Sequence, residues 1–311
     1  HHHQDISVST SSTTGRSRAS TMRAAETDPR QRDRHALRLY FPCPTAEPCR
    51  RTQRRIDQVT DRRLPRHVAA LTFDFWNTLY AAGNGSMDPV RPHRHQALRR
   101  LLATYGVSPG SETLSAAYRS GFDAYMAAWN RGEHFGAREQ VLFMLDRFGV
   151  AVDAVDADHI ADTARSIEDA SFAAPLSLLP GVRETIAHLA AEGHALGLIS
   201  DTSLTPGRIL RHFLQKDGLL QHFSALTFSD VTGYTKPDRR MFEQTLEAMG
   251  ARPETTAHVG DTPRTDIAGA QALGMVTIRC VAAVDHPEAP SADLVIYDHR
   301  EIPPFLRALR L

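Results

Sequence analysis

Hydrophobic and polar positions change their spacing twice along this chain. Residues 68–73 form a short apolar run, which is typical of a strand buried on both faces of a sheet. Between residues 90 and 172, apolar side chains recur every three or four positions, as they do on one face of a helix. This spacing predicts four helices, over 90–105, 111–130, 137–148 and 156–172. Because no strand pattern interrupts them, they predict a small helical bundle.

After Pro180 and Gly181, short apolar runs alternate with stretches of helical spacing. The predicted strands cover 195–199, 225–228, 256–259, 276–278 and 292–297. The predicted helices cover 181–192, 205–215, 238–249, 263–273 and 300–310. Strands and helices that alternate in this way form a parallel sheet with helices on both faces. We therefore predict an α/β fold in which the strand at 68–73 joins this sheet and the helical bundle is an insertion.

The same patterns give the domain boundaries. We assign residues 67–84 and 179–311 to the sheet core and residues 85–178 to the inserted helical domain. Residues 1–66 are polar and rich in Arg, Ser and Pro, which predicts a disordered tail whose first three histidines resemble a purification tag. A transit peptide and an anion-binding arm are the alternatives that this composition leaves open.

Composition and charge exclude several classes of protein. Of the 311 residues, 41% are hydrophobic, and 36 basic side chains balance 36 acidic ones. Residues 67–311 hold 22 basic and 29 acidic side chains, an acidic balance that argues against a nucleic-acid partner. No run approaches the roughly 18 apolar residues of a membrane-spanning helix, so no membrane partner is expected. Only three cysteines are present, which favours a reducing, cytoplasmic location over a disulfide framework.

Polar clusters follow four of the predicted strands. They cover residues 74–79, 200–202, 233–238 and 260–266. Because the carboxyl ends of parallel strands meet at one edge of a sheet, we expect side chains from all four clusters to converge there. The side chains suited to catalysis or to metal binding are Asp74, Ser200, Lys236, Asp261 and Asp266. Three carboxylates so close together repel unless a cation lies among them, and oxygen ligands favour Mg²⁺.

The order and spacing of these clusters resemble the motifs of the haloacid dehalogenase superfamily, over residues 68–300, and the insertion resembles that family's helical cap. The resemblance implies a Rossmann-like core and a Mg²⁺-dependent hydrolase that acts on a small phosphorylated metabolite through an aspartyl-phosphate. It implies that Asp74 is the nucleophile, that Ser200 donates to the transferring group and that Lys236 neutralises charge. The implied Mg²⁺ ligands are Asp74, the backbone carbonyl of Trp76, Asp261 and Asp266.

Trp76 stands where phosphatases of this superfamily usually carry a second, acid–base aspartate. Such acid–base help is typically worth about 10²–10⁴-fold in rate. Three hypotheses follow: a phosphatase whose leaving group needs no proton or receives it elsewhere, a metal-independent 2-haloacid dehalogenase, or a non-catalytic regulatory protein. The dehalogenases resemble this chain in carrying an aromatic residue at that position. The metal-binding form of the cluster at 260–266 favours the phosphatase.

The cap is expected to set the choice of substrate because it would close over Asp74. Substrate contacts are predicted at Thr202, Asp201, Arg91 and His134, and Arg91 and Arg94 could bind the carboxylate of a haloacid. Further candidates on the cap side are Tyr80, Tyr118, Tyr125, Trp129 and Arg131. The expected partner is a small phosphorylated molecule, and the chain could be a monomer or a homodimer.

Overall fold

A computed structural model describes residues 64–83 and 87–310 of the chain. The predicted tail at 1–66 therefore lies outside the described residues, apart from its last three positions. Within the described part of the chain, no helix combines the length and the apolar character needed to cross a membrane.

The described residues form eight strands, six of which make one parallel sheet. In chain order the strands are β1 Ala70–Phe73, β2 Tyr80–Ala82, β3 Leu176–Leu178, β4 Ala195–Ser200, β5 Ala225–Phe228, β6 Thr256–Gly260, β7 Val276–Cys280 and β8 Leu294–Ile296. The large sheet has the order β5-β4-β1-β6-β7-β8, and β2 pairs with β3 in a separate antiparallel sheet.

Helices connect these strands and fill the insertion. They are α1 Arg91–Thr104, α2 Ser111–Asn130, α3 Ala137–Arg147, α4 Ala157–Asp169, α5 Val182–Ala191, α6 Gly207–Lys216, α7 Ser229–Thr232, α8 Arg239–Met249, α9 Ala268–Ala272 and α10 Ile302–Leu309. The prediction of an α/β sheet core with an inserted helical bundle is confirmed. The helix predicted at 263–273 differs in detail, because a π-helical turn at Pro263–Ile267 precedes α9.

Strand β1 lies in the middle of the large sheet, between β4 and β6. Ala70 is paired with Ala195 on one side and with Thr256 on the other, and all pairings are parallel. All four residues of β1 are buried, as the continuous apolar run predicts for a strand with helices on both faces. Along the chain, β4 and β5 are added on one side of β1 and β6 to β8 on the other. The carboxyl ends of β4, β1 and β6 therefore lie side by side.

Separate hydrophobic clusters stabilise the two faces of the sheet and the insertion. One face packs against α5, α6 and α10, with Phe213 and Phe305 among its buried residues. The other face packs against α8 and α9 through Phe242 and Met275. Helices α1 to α4 enclose a cluster of their own, which includes Leu98 and Met144. The insertion is therefore a bundle with its own core, and we call it the cap domain.

The small sheet of β2 and β3 was not predicted from the sequence. Each strand has three residues, which is too short for an alternating pattern to be recognised. The strands pair where the chain leaves the core for the cap and where it returns, with Tyr80 opposite Leu178. Tyr80 is fully buried, and its hydroxyl donates to Asp217 Oδ2 at 2.9 Å. It is therefore part of the core rather than of a substrate pocket.

We expect Phe213→Ala to destabilise the core by about 3–5 kcal/mol, because it removes a large buried ring from a packed cluster. Urea unfolding followed by circular dichroism measures this change. Phe172→Ala is the control, since that ring is 43% exposed and its loss should cost roughly 1 kcal/mol or less. Equal losses in the two variants would contradict the assignment of Phe213 to the core.

Candidate active site

Asp74 follows β1 and lies at the open end of the sheet. Its N–H donates to the Val259 carbonyl at 2.9 Å, which extends the pairing with β6 by one residue. The chain then turns back sharply, since the Tyr80 N–H donates to the Phe75 carbonyl at 2.9 Å. Within this turn Asn77 has a φ of 54°, in the left-handed region that Asn tolerates better than most residues. The turn leaves the Asp74 carboxylate facing the ends of the neighbouring strands.

Lys236 supplies positive charge to the site and is 2% exposed. Its Nζ donates to Asp74 Oδ1 at 2.6 Å, to Asp266 Oδ1 at 2.7 Å and to the Ile199 carbonyl at 3.1 Å. These bonds use all three protons of the ammonium group. A buried charge without such partners would be strongly destabilising. Lys236 therefore ties Asp74 to Asp266 and neutralises part of their charge.

Asp266 lies in the π-helical turn after β6 and folds back onto that strand. Its Oδ1 accepts from Lys236 and lies 3.2 Å from His258 Nε2, while its Oδ2 accepts from the Thr262 N–H at 3.0 Å. Gly260 makes this possible, because a Cβ atom at that position would overlap the Asp266 carboxyl group. The absence of a side chain at Gly260 thus allows the Asp266 carboxylate to take this direction.

Asp261 follows β6 directly and faces the same space. Thr262 Oγ1 and Asn77 Nδ2 donate to its two oxygens at 3.1 and 3.4 Å. Asp74, Asp261 and Asp266 each offer one carboxylate oxygen, and these oxygens all lie within 4.8 Å of one another. Three carboxylate oxygens are a donor set that a hard divalent cation such as Mg²⁺ prefers. The side chains therefore fit a site for such an ion.

The three carboxyl groups titrate differently. Burial raises the pKa of Asp74 well above its usual range, and Lys236 offsets this only in part. Burial and the charge of Asp266 raise the pKa of Asp261 to about 6. Burial would also raise the pKa of Asp266, but Lys236 and His258 outweigh it and hold that pKa below its usual range. A divalent cation would therefore stabilise the ionised forms of Asp74 and Asp261.

The loop after β4 joins the cap domain to the core. Ser200 is buried, and its Oγ donates to the Asp201 carbonyl at 3.2 Å. The Asp201 side chain accepts from the Lys236 N–H at 2.8 Å with Oδ1, and from Trp129 Nε1 at 2.9 Å with Oδ2. Trp129 belongs to α2 of the cap domain. Both Asp201 oxygens are thus bound by protein donors, one from each domain.

Thr202 and His134 meet at Ser229. The Thr202 N–H donates to Ser229 Oγ at 2.8 Å, and Thr202 Oγ1 donates to Asp230 Oδ1 at 2.9 Å. His134 Nδ1 lies 3.3 Å from the same Ser229 Oγ. These contacts hold the loop after β4 against α7 and against the end of the cap segment that carries His134.

Arg91 lies at the start of α1 and forms an ion pair with Asp88, with half of its side chain exposed. Arg131 likewise pairs with the exposed Glu133 at 2.7 Å. The structure does not bring either arginine into the described contacts of Asp74. The Tyr118 hydroxyl accepts from the buried Arg94 at 3.4 Å, so it belongs to the interior of the cap domain.

Sequence reasoning did not single out His258, Asn77 or Arg264, although Asn77 and Arg264 lie within two of the predicted polar clusters. His258 is fully buried on β6, where its Nδ1 lies 2.8 Å from Thr72 Oγ1 and its Nε2 faces Asp266. A histidine inside an otherwise apolar strand was the available signal. The Arg264 guanidinium lies over the Trp129 ring, 4.1 Å from its centroid. No local pattern in the sequence indicated that contact.

Comparisons with known proteins match the family that the sequence motifs resemble. The family model of haloacid dehalogenase-like hydrolases matches residues 68–274. Phosphoserine phosphatase from Thermus thermophilus is 33% identical over 212 residues, which cover 67% of this chain and 74% of that protein.

Two solved structures share the fold. A phosphatase from Thermococcus onnurineus is 20% identical, with a TM-score of 0.52, over 78% of this chain and 100% of that one. A 2-haloacid dehalogenase from Pseudomonas syringae is 22% identical, with a TM-score of 0.54, over 77% of this chain and 98% of that one. At these identities the likeness concerns the fold, which phosphatases and dehalogenases have in common.

We expect Gly260→Ala to weaken Mg²⁺ binding by at least about tenfold, because the added methyl group must displace the Asp266 carboxylate. Calorimetric titration with MgCl₂ measures the affinity, and circular dichroism checks the fold. Gly110→Ala is the control, since a Cβ atom there meets open space and its φ is −61°. An unchanged affinity in Gly260→Ala would mean that Asp266 does not hold the ion.

Proposed function

This chain belongs to the haloacid dehalogenase-like hydrolases, and from that premise we propose that it is a Mg²⁺-dependent phosphatase of a small phosphorylated metabolite. The observation that carries the proposal is the contact of Lys236 with Asp74 and Asp266, beside Asp261, at the end of the central strands. This contact places the Lys236 ammonium group beside the proposed nucleophile Asp74, where it can offset the charge of a phosphoryl group. The neighbouring carboxylates are suited to a metal ion. The relatives named as phosphatases support the same reaction.

In the proposed reaction, a carboxylate oxygen of Asp74 attacks phosphorus while the bond from phosphorus to the leaving oxygen breaks. The product is an acyl-phosphate on Asp74, which water then hydrolyses to inorganic phosphate and the free carboxylate. Lys236 favours the ionised form of Asp74 and offsets the repulsion between the carboxylate and the phosphate dianion. Ser200, at the end of the neighbouring strand, is the proposed hydrogen-bond donor to a phosphoryl oxygen.

The residues proposed to hold Mg²⁺ are Asp74, Asp261, Asp266 and the backbone carbonyl of Trp76. When bound, the ion would supply positive charge to the phosphoryl oxygens. Asn77 and Thr262 hold the Asp261 carboxylate, and Gly260 leaves room for Asp266, so the ligands are oriented by their neighbours.

Trp76 cannot take the part of an acid–base aspartate. Its ring packs edge-on against Phe75, with 5.2 Å between the ring centroids, at the border of the main hydrophobic cluster. We therefore propose a substrate whose leaving group departs without a proton, such as an acyl phosphate. Acetyl phosphate should then be hydrolysed faster than a simple alkyl phosphate, and a reversed order would contradict this assignment of the leaving group.

The aromatic Trp76 also favours a second candidate, a metal-independent 2-haloacid dehalogenase. Against it stand Asp261 and Asp266, which a metal-free displacement does not need. Chloride release from 2-chloropropionate in excess chelator would support the dehalogenase. Phosphate release that requires Mg²⁺ would support the phosphatase, and no turnover in either assay would favour the regulatory protein.

We expect Asp74→Asn to abolish phosphate release, by at least about 10³-fold, because the amide is a poor nucleophile. Release of phosphate from a panel of phosphate esters and acyl phosphates, with MgCl₂, measures the loss. Asp123→Asn replaces an exposed aspartate on α2 and should leave the rate unchanged. Mass spectrometry of rapidly quenched wild-type enzyme should detect phosphate on Asp74, and activity retained by Asp74→Asn would remove the nucleophile.

We expect the half-saturating Mg²⁺ concentration to rise as pH falls, by about fivefold between pH 6 and pH 5, because Asp261 must lose a proton to bind the ion. The raised pKa also means that Asp261 binds more protons in the metal-free fold than in the unfolded chain between about pH 4 and pH 6. The contribution of Asp261 to stability therefore falls as pH rises through this window, and Mg²⁺ should raise Tm more at pH 7.5 than at pH 5.

Calorimetric titrations and thermal melts at several pH values measure these two effects. Asp261→Asn is the matched variant, because an amide cannot titrate and should give a weaker but flatter dependence. A Mg²⁺ affinity that stays constant in the wild-type protein from pH 7 to pH 5 would contradict the role of Asp261.

A further inference from the structure

The backbone of Lys236 is held by a side chain that itself contacts the cap domain. Asp201 Oδ1 accepts from the Lys236 N–H at 2.8 Å, and Asp201 Oδ2 accepts from Trp129 Nε1 at 2.9 Å. Lys236 Nζ, at the other end of the same residue, donates to Asp74 at 2.6 Å. One carboxylate thus connects an indole of the cap domain with the residue that contacts the nucleophile.

Trp129 is itself fixed from a second direction. The Arg264 guanidinium lies 4.1 Å from the centroid of its ring, a distance suited to a cation–π contact. Arg264 belongs to the turn between Asp261 and Asp266, so the contact joins the indole to the loop that carries two of the proposed metal ligands. The two core loops beside Asp74 therefore meet the cap domain at the same aromatic ring.

We propose that Asp201 is a positioning residue that links the docking of Trp129 to the placement of Lys236 against Asp74. The proposal rests on the role given to Lys236 under the proposed function. Its physical basis is the length of the lysine side chain. When the backbone N–H of Lys236 is fixed, fewer side-chain conformations compete with the one in which Nζ contacts Asp74. When Trp129 withdraws, Asp201 loses one of its two donors and Lys236 is held less firmly.

A role for Asp201 as a carboxylate, rather than as any polar residue, follows from its two partners. Both Trp129 Nε1 and the Lys236 N–H are donors, so the residue between them must accept twice. An aspartate has an acceptor oxygen for each, whereas an asparagine offers one oxygen and would turn an NH₂ group toward one of the donors. Asp201→Asn should therefore keep one of the two bonds and lose the other.

The chain offers a direct probe because it contains two lysines, Lys216 and Lys236. Lys216 is exposed at the end of α6, whereas Lys236 is 2% exposed. Acetylation of the metal-free protein with an N-hydroxysuccinimide ester, followed by mass spectrometry, therefore measures the accessibility of Lys236 against an internal standard. In the wild-type protein Lys216 should react and Lys236 should be protected.

We expect Trp129→Phe and Asp201→Asn to raise the labelling of Lys236 severalfold relative to Lys216. Trp129→Phe keeps an aromatic ring for Arg264 and removes the N–H donor together with part of the indole. Arg208→Gln is the matched control, because Arg208 joins α6 to Glu168 of the cap domain at 2.9 Å without contacting Asp201. In the Arg208→Gln variant, Lys236 should stay protected. Protection of Lys236 that is equally strong in Trp129→Phe and in the wild type would overturn the link.

Turnover gives the second readout. Each single variant should lower kcat by about tenfold with a smaller change in KM, since the lost bond positions a group that acts on the bound substrate. The double variant should be little worse than either single one, because both act through the same connection. Full additivity of the two losses, or losses equalled by Arg208→Gln, would overturn the proposal.

The two readouts separate this inference from the proposed function. Labelling of Lys236 requires no substrate, so it tests the link from Trp129 to Lys236 even in a protein that hydrolyses no phosphate ester. If the wild type turns over no phosphate compound while Lys236 labelling responds to Trp129→Phe, the proposed function fails and the link stands. If the wild type is active and labelling does not respond, the link fails and the function stands.

Discussion

The buried ammonium group of Lys236 is the interaction on which the rest of the site depends. A charge removed from water is tolerated only when hydrogen-bonded and paired, and Lys236 has Asp74, Asp266 and a backbone carbonyl as its partners. The carboxylates need the ammonium group in turn, because burial otherwise drives them to the protonated form. The central position of β1 makes this mutual dependence possible, since it brings the ends of β4 and β6 to either side of Asp74.

The small residues and turns around the site follow from the same constraint. Gly260 leaves the space into which Asp266 folds back toward Lys236, and the left-handed Asn77 reverses the chain just after Asp74. His258 adds a hydrogen-bond partner for Asp266 from inside the sheet. These features place carboxylates close together at the open end of the sheet, where a divalent cation and a phosphoryl group can balance their charge.

Polar contacts join the cap domain to this arrangement beside Asp74, and Leu204 of the core also packs against the hydrophobic cluster of the cap domain. Its own cluster of apolar side chains stabilises the bundle, and Trp129 reaches out of it toward Asp201 and Arg264. Contacts of this kind can form and break without unfolding either domain. A hydrolase that must admit a substrate and then exclude water from Asp74 benefits from a cap attached in this way.

The sequence alone determined the six strands of the large sheet and most of the helices, and it predicted which side chains meet at the open end of that sheet. Burial of one face of a helix or strand fixes the spacing of apolar residues along the chain, so these elements could be predicted from that spacing. Parallel strands end at the same edge of their sheet, so the convergence of Asp74, Lys236 and Asp266 could be expected. Only the tertiary structure decided which cap side chain meets the core: Trp129 binds Asp201, whereas Arg91 pairs with Asp88. That outcome depends on how a separately packed bundle lies on the sheet, which no local pattern of residues records.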